Sequence, residues 1–256
     1  MISPRRIRAL VVFGALSAVT ALAGCSALAT PAVAPVGPVA SAPDPTPTPT
    51  DTASPSVAVA DPTWTSTAPT ARIVTIGDSL MSGYGLSAGD AWPDLIAASD
   101  GAWIADLACA GMGFVADGDC GTTYAGMIPA ATAIAPDVII IQSSDNDSLE
   151  NPGDVYRATL DTINSLRGAL PNTRLICLGT LWSDTDIPED VQMTTAAIQT
   201  AAAQAGCEFV DIGQPLAGHP EWYQEDEEHP NSIGQQLLAS AIAAQLGPLG
   251  VFAPAS

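Results

Sequence analysis

One serine and two histidines carry the clearest potential for chemistry in this chain. Ser79 follows Gly77-Asp78 at the end of a predicted strand, a tight turn from which a hydroxyl can point outward as a nucleophile. Asp226 precedes His229 by three residues, so one turn could bring its carboxylate to Nδ1 and leave Nε2 free to take a proton from Ser79. His219 has no such partner at that offset. The spacing therefore predicts a Ser79, His229 and Asp226 triad.

A nucleophilic serine also needs donors for the oxyanion that forms during attack. After the second predicted strand, Cys109-Ala110-Gly111-Met112-Gly113 offers glycine backbone amides. After the third, Ser144-Asp145-Asn146-Asp147 offers the Asn146 side-chain amide. Donors of this kind lower the barrier by roughly 3 to 4 kcal/mol each. Gly111 and Gly113 are the two candidates for the backbone donor.

The elements that must position these residues alternate regularly between strand and helix. Near-continuously apolar strands between Ala-rich helices indicate a five-stranded parallel sheet in a three-layer α/β/α sandwich, whose active site lies beyond the carboxyl ends of the strands. The predicted strands are Arg72 to Ile76, Trp103 to Leu107, Asp137 to Gln142, Arg174 to Leu178 and Glu208 to Ile212. The predicted helices are Ala91 to Ser99, Thr123 to Ile134, Pro152 to Ala169, Pro188 to Ala205 and Asn231 to Leu246.

Taken together, these blocks resemble the GDSL or SGNH hydrolase family from Arg72 to the last helix. The resemblance implies a flavodoxin-like fold and ester hydrolysis through an acyl-enzyme, without metal or cofactor. It makes Ser79 the nucleophile and first oxyanion donor, Gly111 the second and Asn146 the third, with His229 as base oriented by Asp226. His229-Pro230-Asn231 before an apolar helix is also similar to the family's last block.

The third block departs from the family pattern. Ser144 stands where the family usually has glycine, and Asp145 adds a carboxylate beside the oxyanion donors. A negative charge near a developing oxyanion weakens its stabilisation unless the carboxylate points to solvent. We therefore expect activity to be reduced or narrowed if Asp145 faces the site.

The N-terminal segment has the layout of a bacterial lipoprotein signal. Three arginines precede a short apolar run that ends in Leu22-Ala23-Gly24-Cys25, which looks like a lipobox with Cys25 as the lipidated residue. Residues 26–70 contain ten of the 22 prolines and favour an extended linker. We expect a signal peptide at 1–24, the lipidated cysteine and linker at 25–70, and the hydrolase domain at 71–256.

Four further cysteines suggest disulfides in a chain that is exported. We expect Cys109 to pair with Cys120, which would brace the loop that carries Gly111, and Cys177 to pair with Cys207. Four buried free thiols are the alternative. A thiol nucleophile is disfavoured because neither Cys109 nor Cys177 has a base nearby in the sequence. The acidic clusters do not complete a calcium-loop spacing, so we expect no metal.

Composition restricts the partners. The chain has 7 basic and 27 acidic residues and a formal net charge of −20, and it contains no lysine. This charge excludes nucleic acid as an electrostatic partner and favours neutral ester substrates over anionic ones. We expect a monomeric, lipid-anchored esterase that faces the extracytoplasmic side, touches the membrane only through its anchor and acts on short acyl esters such as O-acetyl groups of polysaccharides. The alternative is a catalytically weak, carbohydrate-binding lipoprotein of the same fold.

Overall fold

Five β-strands form the centre of the fold in residues 71–252, the part of the chain that the computed structural model describes. The strands are β1 (Arg72–Ile76), β2 (Trp103–Asp106), β3 (Val138–Gln142), β4 (Arg174–Leu178) and β5 (Glu208–Val210). They form one sheet in the order β2-β1-β3-β4-β5, and all neighbouring pairs are parallel. The strand order reverses between β1 and β3, and ligands of open α/β sheets bind outside the carboxyl ends of such a pair.

Helices cover both faces of the sheet. The α-helices are α1 (Ser79–Ser82), α2 (Trp92–Asp100), α3 (Ile128–Ile134), α4 (Pro152–Ala169), α5 (Glu189–Gln204) and α6 (Ser232–Leu246). Short 3₁₀ helices span Tyr124–Met127, Asp145–Leu149, Pro220–Trp222 and Gly247–Leu249. One apolar cluster joins the sheet to α2 and α6, and a second joins it to α3, α4 and α5.

Alternation along the strands divides the core between these two clusters. In β1, Ile73 belongs to the α2 and α6 side and Val74 to the opposite side, because successive side chains point to opposite faces. Every residue of the central strand β3 is buried. The three-layer α/β/α sandwich with a five-stranded parallel sheet is therefore confirmed.

Apart from boundaries that move by one or two residues, two elements differ from the sequence prediction. The predicted helix from Thr123 to Ile134 is divided into a 3₁₀ turn and α3. Pro129 lacks the N–H that an α-helix would need at that position, so the regular helix begins only at Ile128. The four-residue helix α1, which begins at Ser79, was not predicted, since it is too short to show a periodic pattern.

The N-terminal predictions fall outside the described residues. The predicted signal peptide, Cys25 and the whole linker lie in residues 1–70, which are outside the described part of the chain. Within residues 71–252, no helix is both long and apolar enough to cross a bilayer.

Candidate active site

Ser79 lies where β1 ends and α1 begins, at the carboxyl edge of the sheet. Asp78 is the N-cap of α1, and its Oδ1 accepts a hydrogen bond of 2.9 Å from the Leu80 N–H. Gly77 is needed for close packing, because a Cβ there would lie 2.6 Å from Met81 Sδ. Ser79 is 8% exposed, so this turn holds its side chain in a nearly buried position at the end of the strand.

His229 is held by Asp226 within the loop that precedes α6. His229 Nδ1 lies 2.7 Å from Asp226 Oδ2, and Oδ1 accepts from the backbone N–H groups of Glu228 and His229, each at 3.0 Å. The turn between them requires a positive φ of 58° at Glu227. In this arrangement the Nδ1–H of His229 donates to the Asp226 carboxylate, and Nε2 is the nitrogen that can accept a proton.

The charge of Asp226 is stabilised in this turn. Partial burial alone would raise its pKa, but hydrogen bonds from the backbone of His229 and Glu228 and from the His229 side chain outweigh that effect. The pKa of Asp226 is therefore lowered, and the carboxylate is the form that faces the imidazole.

Tyr84 connects the serine and histidine segments. Its backbone N–H donates to Ser79 O at 3.1 Å, and its ring centroid lies 4.7 Å from that of His229. Gln224 Nε2 donates to Tyr84 O at 2.7 Å and to Pro230 O at 3.1 Å. These contacts hold the loop that carries His229 against the helix that begins at Ser79.

An apolar cavity lies between the same two segments. Its volume is about 10 Å³, room for about one water molecule, and it is lined by Leu80 and Pro230, the residues that follow Ser79 and His229, together with residues of the segments after β4 and β5. Gln235 on α6 donates to Leu80 O at 2.9 Å and accepts from the Trp92 N–H at 2.9 Å. These bonds join α6 to α1 and α2 and fix one wall of the cavity.

A buried hydrogen-bonded chain lies on the opposite side of Ser79. Ser144 Oγ donates to Asp78 Oδ2 at 2.5 Å and accepts from Asn146 Nδ2 at 2.9 Å. Asn146 Nδ2 also donates to Met112 O at 3.3 Å. These hydrogen bonds therefore link the segments that follow β1, β2 and β3, which are the three segments predicted to supply Ser79, Gly111 and Asn146.

Asp78 is the most strongly perturbed carboxyl in this chain of bonds. Complete burial and the nearby charge of Asp145 raise its pKa to about 7, against the opposing effect of hydrogen bonds from Ser144 and the α1 backbone. Asp145 is only 7% exposed, so it does not point to solvent as an innocuous acidic neighbour would. Its charge is one cause of the raised pKa of Asp78, and the expected effect of Asp145 on activity stays a prediction.

The backbone around Gly111 separates the two glycine candidates. The Gly113 N–H donates to Ala116 O at 3.0 Å and is therefore already used, whereas Gly111 has a φ of 78°, a conformation that favours glycine. A disulfide between Cys109 and Cys120 closes this loop, as predicted. The geometry favours Gly111 over Gly113 as the available backbone donor.

Asp147 holds the same loop by its backbone N–H groups, a role that the sequence does not predict. It is fully buried and accepts hydrogen bonds of 2.7 to 3.0 Å from the backbone N–H groups of Phe114, Val115 and Ala116. Burial raises its pKa despite these three bonds. In the sequence, Asp147 belongs to an acidic cluster that fails the calcium-loop spacing, and no local pattern shows that its partners lie over thirty residues away.

The predicted second disulfide is wrong. Cys177 and Cys207 are free, buried thiols whose sulfur atoms lie 2.8 Å apart in a hydrogen bond. Pairing of β4 with β5 brings these two side chains together within the apolar cluster. The hydrogen bond from Cys207, together with burial, raises the pKa of Cys177 well above its ordinary value, so this thiol stays protonated.

His219 also has a carboxylate partner, at a different offset from the one considered. Its Nδ1 lies 2.9 Å from Glu221 Oε1, and its ring stacks on Trp222 at a centroid distance of 3.6 Å. Both members of the pair are well exposed. Within the described residues, no three His, Cys, Asp or Glu side chains are arranged to hold a metal ion.

Comparison with known proteins gives a consistent picture. Residues 75–237 match the family described as GDSL-like Lipase/Acylhydrolase. The chain is 29% identical over 188 residues to GDSL lipase Rv0518 of Mycobacterium tuberculosis, covering 67% of this chain and 79% of the relative. It is also similar in structure to the psychrotrophic esterase EstA from Pseudoalteromonas sp., with a TM-score of 0.56 and 16% identity. This match covers 70% of this chain and 97% of EstA. A family two carbohydrate esterase from Clostridium thermocellum, in complex with cellohexaose, gives a TM-score of 0.57 and 18% identity. This match covers 72% of this chain and 66% of the esterase.

Proposed function

The chain is a serine ester hydrolase that belongs to the GDSL-like lipase/acylhydrolase family, and we propose that it cleaves short-chain acyl esters at Ser79 through an acyl-enzyme. The observation that carries this assignment is the Asp226–His229 hydrogen bond in a loop held by Tyr84 against the start of α1. A carboxylate-oriented imidazole beside a serine turn is the arrangement that nucleophilic ester cleavage needs.

The reaction proceeds in two displacements. Ser79 Oγ attacks the ester carbonyl carbon while His229 Nε2 takes the hydroxyl proton, and the resulting imidazolium is stabilised by Asp226. The tetrahedral intermediate collapses as the alcohol leaves with the proton from His229, which gives the acyl-serine. Water, deprotonated by His229, then attacks the acyl-serine, and His229 returns this proton to Ser79 Oγ as the acid is released.

The oxyanion of each tetrahedral intermediate is stabilised by three donors. We assign these to the N–H groups of Ser79 and Gly111 and to the Asn146 side-chain amide. The Gly113 N–H already donates to Ala116 O, which favours Gly111 as the backbone donor. The hydrogen bonds that join the segments carrying these donors give further support. Preorganised donors are effective because they need no rearrangement as charge develops.

The acyl group is short and the whole ester is neutral. The cavity beside Leu80 and Pro230, about 10 Å³, has room for no more than a methyl-sized group. The net charge of −20 disfavours anionic substrates. A short acyl group, such as acetyl, fits both features.

The alcohol is a carbohydrate hydroxyl in this proposal. His229 must protonate the leaving oxygen, and the half-exposed Tyr84 ring beside it offers an aromatic face to the group that leaves. Aromatic rings commonly combine an apolar face with a polar edge at such binding sites. The same fold carries the carbohydrate esterase from Clostridium thermocellum. O-acetyl groups of polysaccharides are therefore the proposed substrates.

The proposed location is the outer face of the bacterial membrane. Cleavage before Cys25 and lipidation of its thiol would anchor the protein, and the proline-rich residues 26–70 would act as a tether. Replacing Cys25 by Ser is expected to release the protein from the membrane fraction. Unchanged partition of the C25S variant into membranes would refute lipidation.

Hydrolysis of p-nitrophenyl acetate by the purified protein tests the activity. Ser79→Ala is expected to abolish turnover above background, whereas Ser82→Ala, in the same helix, is the matched control and should retain it. Equal turnover by wild type and the Ser79 variant would refute the nucleophile and favour the carbohydrate-binding alternative. Release of acetate from acetylated polysaccharides, compared across acyl chain lengths, then tests the substrate.

A further inference from the structure

The hydroxyl of Ser144 has every hydrogen-bonding position filled. Its proton goes to Asp78 Oδ2, and its oxygen accepts from both the backbone N–H and the side-chain Nδ2 of Asn146, at 3.0 and 2.9 Å. A serine hydroxyl has one donor and two acceptor positions, so three partners fix its orientation completely. Ser144 is also 0% exposed, so water does not compete for these bonds.

We propose that Ser144 is a positioning residue that holds the Asn146 amide in the geometry needed for the oxyanion and couples it to Asp78 at the start of the nucleophile helix. The inference rests on the proposed function, in which Asn146 is an oxyanion donor. It gives a role to the serine that stands where the resembling family usually has glycine, a residue that cannot make these bonds.

The two hydrogen bonds of the Asn146 amide are unequal. The proton directed at Ser144 Oγ makes the shorter bond, at 2.9 Å, and the proton directed at Met112 O makes a longer one, at 3.3 Å. Longer bonds are weaker, so the proton facing Met112 O is the one for which a developing oxyanion competes. Ser144 then acts as the fixed pivot of the amide while the other proton changes acceptor.

The coupling to Asp78 extends the effect to Ser79. Asp78 caps α1 through its Oδ1 while its Oδ2 accepts from Ser144. One serine therefore joins the residue before the nucleophile to the side-chain donor of the oxyanion site. Loss of the hydroxyl leaves Asn146 Nδ2 with only the long bond to Met112 O and removes the side-chain donor from Asp78.

A double-mutant cycle on the full-length protein tests this role. Ser144→Ala is expected to lower kcat for p-nitrophenyl acetate by ~10-fold, with KM changed by less than about 2-fold, because the lost interaction acts in the transition state. In an Asn146→Ala background, the same substitution should lower kcat by less than about 2-fold, because no amide remains to be positioned. A purely structural role would lower kcat equally in both backgrounds.

Ser143→Ala is the matched control. Ser143 is 1% exposed and donates to Leu178 O at 2.7 Å, so this variant also loses a buried serine hydrogen bond, but one that is connected to neither Asn146 nor Asp78. Its kcat should stay within about 2-fold of wild type. If Ser144→Ala is too unstable to assay, Ser144→Gly, which restores the family's usual residue, enters the cycle in its place.

The outcomes separate this inference from the proposed function. The positioning role would be overturned if the Ser144 variants had wild-type activity, or if they lost the same factor in kcat in both backgrounds. In that case a low kcat for Asn146→Ala would still support the oxyanion assignment. Wild-type activity of Asn146→Ala would instead overturn the oxyanion assignment itself.

Discussion

The two sides of the site are built in opposite ways. On one side, Asp78, Ser144 and Asp147 are fully buried and bonded to groups far away in sequence. On the other, Asp226 and His229 are three residues apart, and the Asp226 side chain is 43% exposed. The first is fixed by the packing of three strand ends, and the second by one turn of a surface loop.

This difference separates two tasks of a serine hydrolase. Oxyanion donors work best when they are rigid, because their benefit comes from being oriented before charge develops. The base must take a proton from one oxygen and give it to another, and a loop histidine beside solvent is suited to that exchange. Substitutions on the buried side should therefore affect stability as well as rate, whereas substitutions on the loop side should affect rate alone.

The largest effect is expected for His229→Ala. Loss of the base should lower kcat/KM by roughly 10³- to 10⁴-fold, while the free energy of unfolding changes by less than about 1 kcal/mol. His219→Ala is the matched control, since it removes the other carboxylate-bonded histidine, and it should retain activity. Steady-state kinetics and urea denaturation measure both quantities. Comparable losses in the two variants would contradict the choice of His229.

Asp147→Ala should produce the largest loss of stability. Three backbone N–H groups would lose their acceptor, and unsatisfied buried donors cost about 1 to 3 kcal/mol each, so the free energy of unfolding should fall by about 3 kcal/mol or more. Asp117→Ala, an exposed position in the same loop, should change it by less than about 0.5 kcal/mol. Equal stability of the two variants would show that Asp147 does not hold the loop.

Asp226→Ala should have an intermediate effect confined to rate. The imidazole would lose its orienting carboxylate, but the site is open to water, so we expect a fall in kcat/KM of about 10²-fold without a change in stability. Glu221→Ala removes the carboxylate bonded to His219 and serves as the control. A reduction of less than about 3-fold for Asp226→Ala would mean that His229 needs no orienting partner.

The smallest effect is a pH dependence of stability that originates on the buried side. The pKa of Asp78 is raised to about 7 in the folded protein, so its contribution is fully present below its unfolded pKa, about 4, and is lost as pH rises through about 7. Asp78→Asn should therefore gain stability relative to wild type between pH 6 and 8, by about 1 to 2 kcal/mol. Denaturation curves at several pH values give this difference. A constant difference across that range would contradict the raised pKa.

The sequence predicts the loop side better than the buried side. Asp226 and His229 share one turn, so their spacing alone indicates the hydrogen bond that the structure contains. Ser144, Asp145 and Asp147 meet partners on other strands, and their burial depends on a strand order that no local pattern specifies. Asp147 therefore cannot be told apart in the sequence from a surface acid.

The fold was predictable for a related reason. Apolar runs such as Val138 to Ile141 mark central strands directly, whereas β5 ends at Val210, two residues before the predicted end, because edge strands are less constrained. The cysteines show both outcomes. Cys109 and Cys120 flank a single loop and form the predicted bond, but the thiol state of Cys177 and Cys207 depends on tertiary geometry that spacing does not give.

Covalent labelling by a p-nitrophenyl phosphonate ester, which traps an activated serine, shows directly whether Ser79 is the nucleophile. Mass spectrometry of the digested protein should find one phosphonyl group on the peptide that contains Ser79, with one equivalent of p-nitrophenolate released. Labelling should be slowed at least ~10³-fold in His229→Ala and should be absent in Ser79→Ala. Labelling of an active enzyme at another residue would contradict Ser79 as the nucleophile. Equally fast labelling without His229 would contradict His229 as its base.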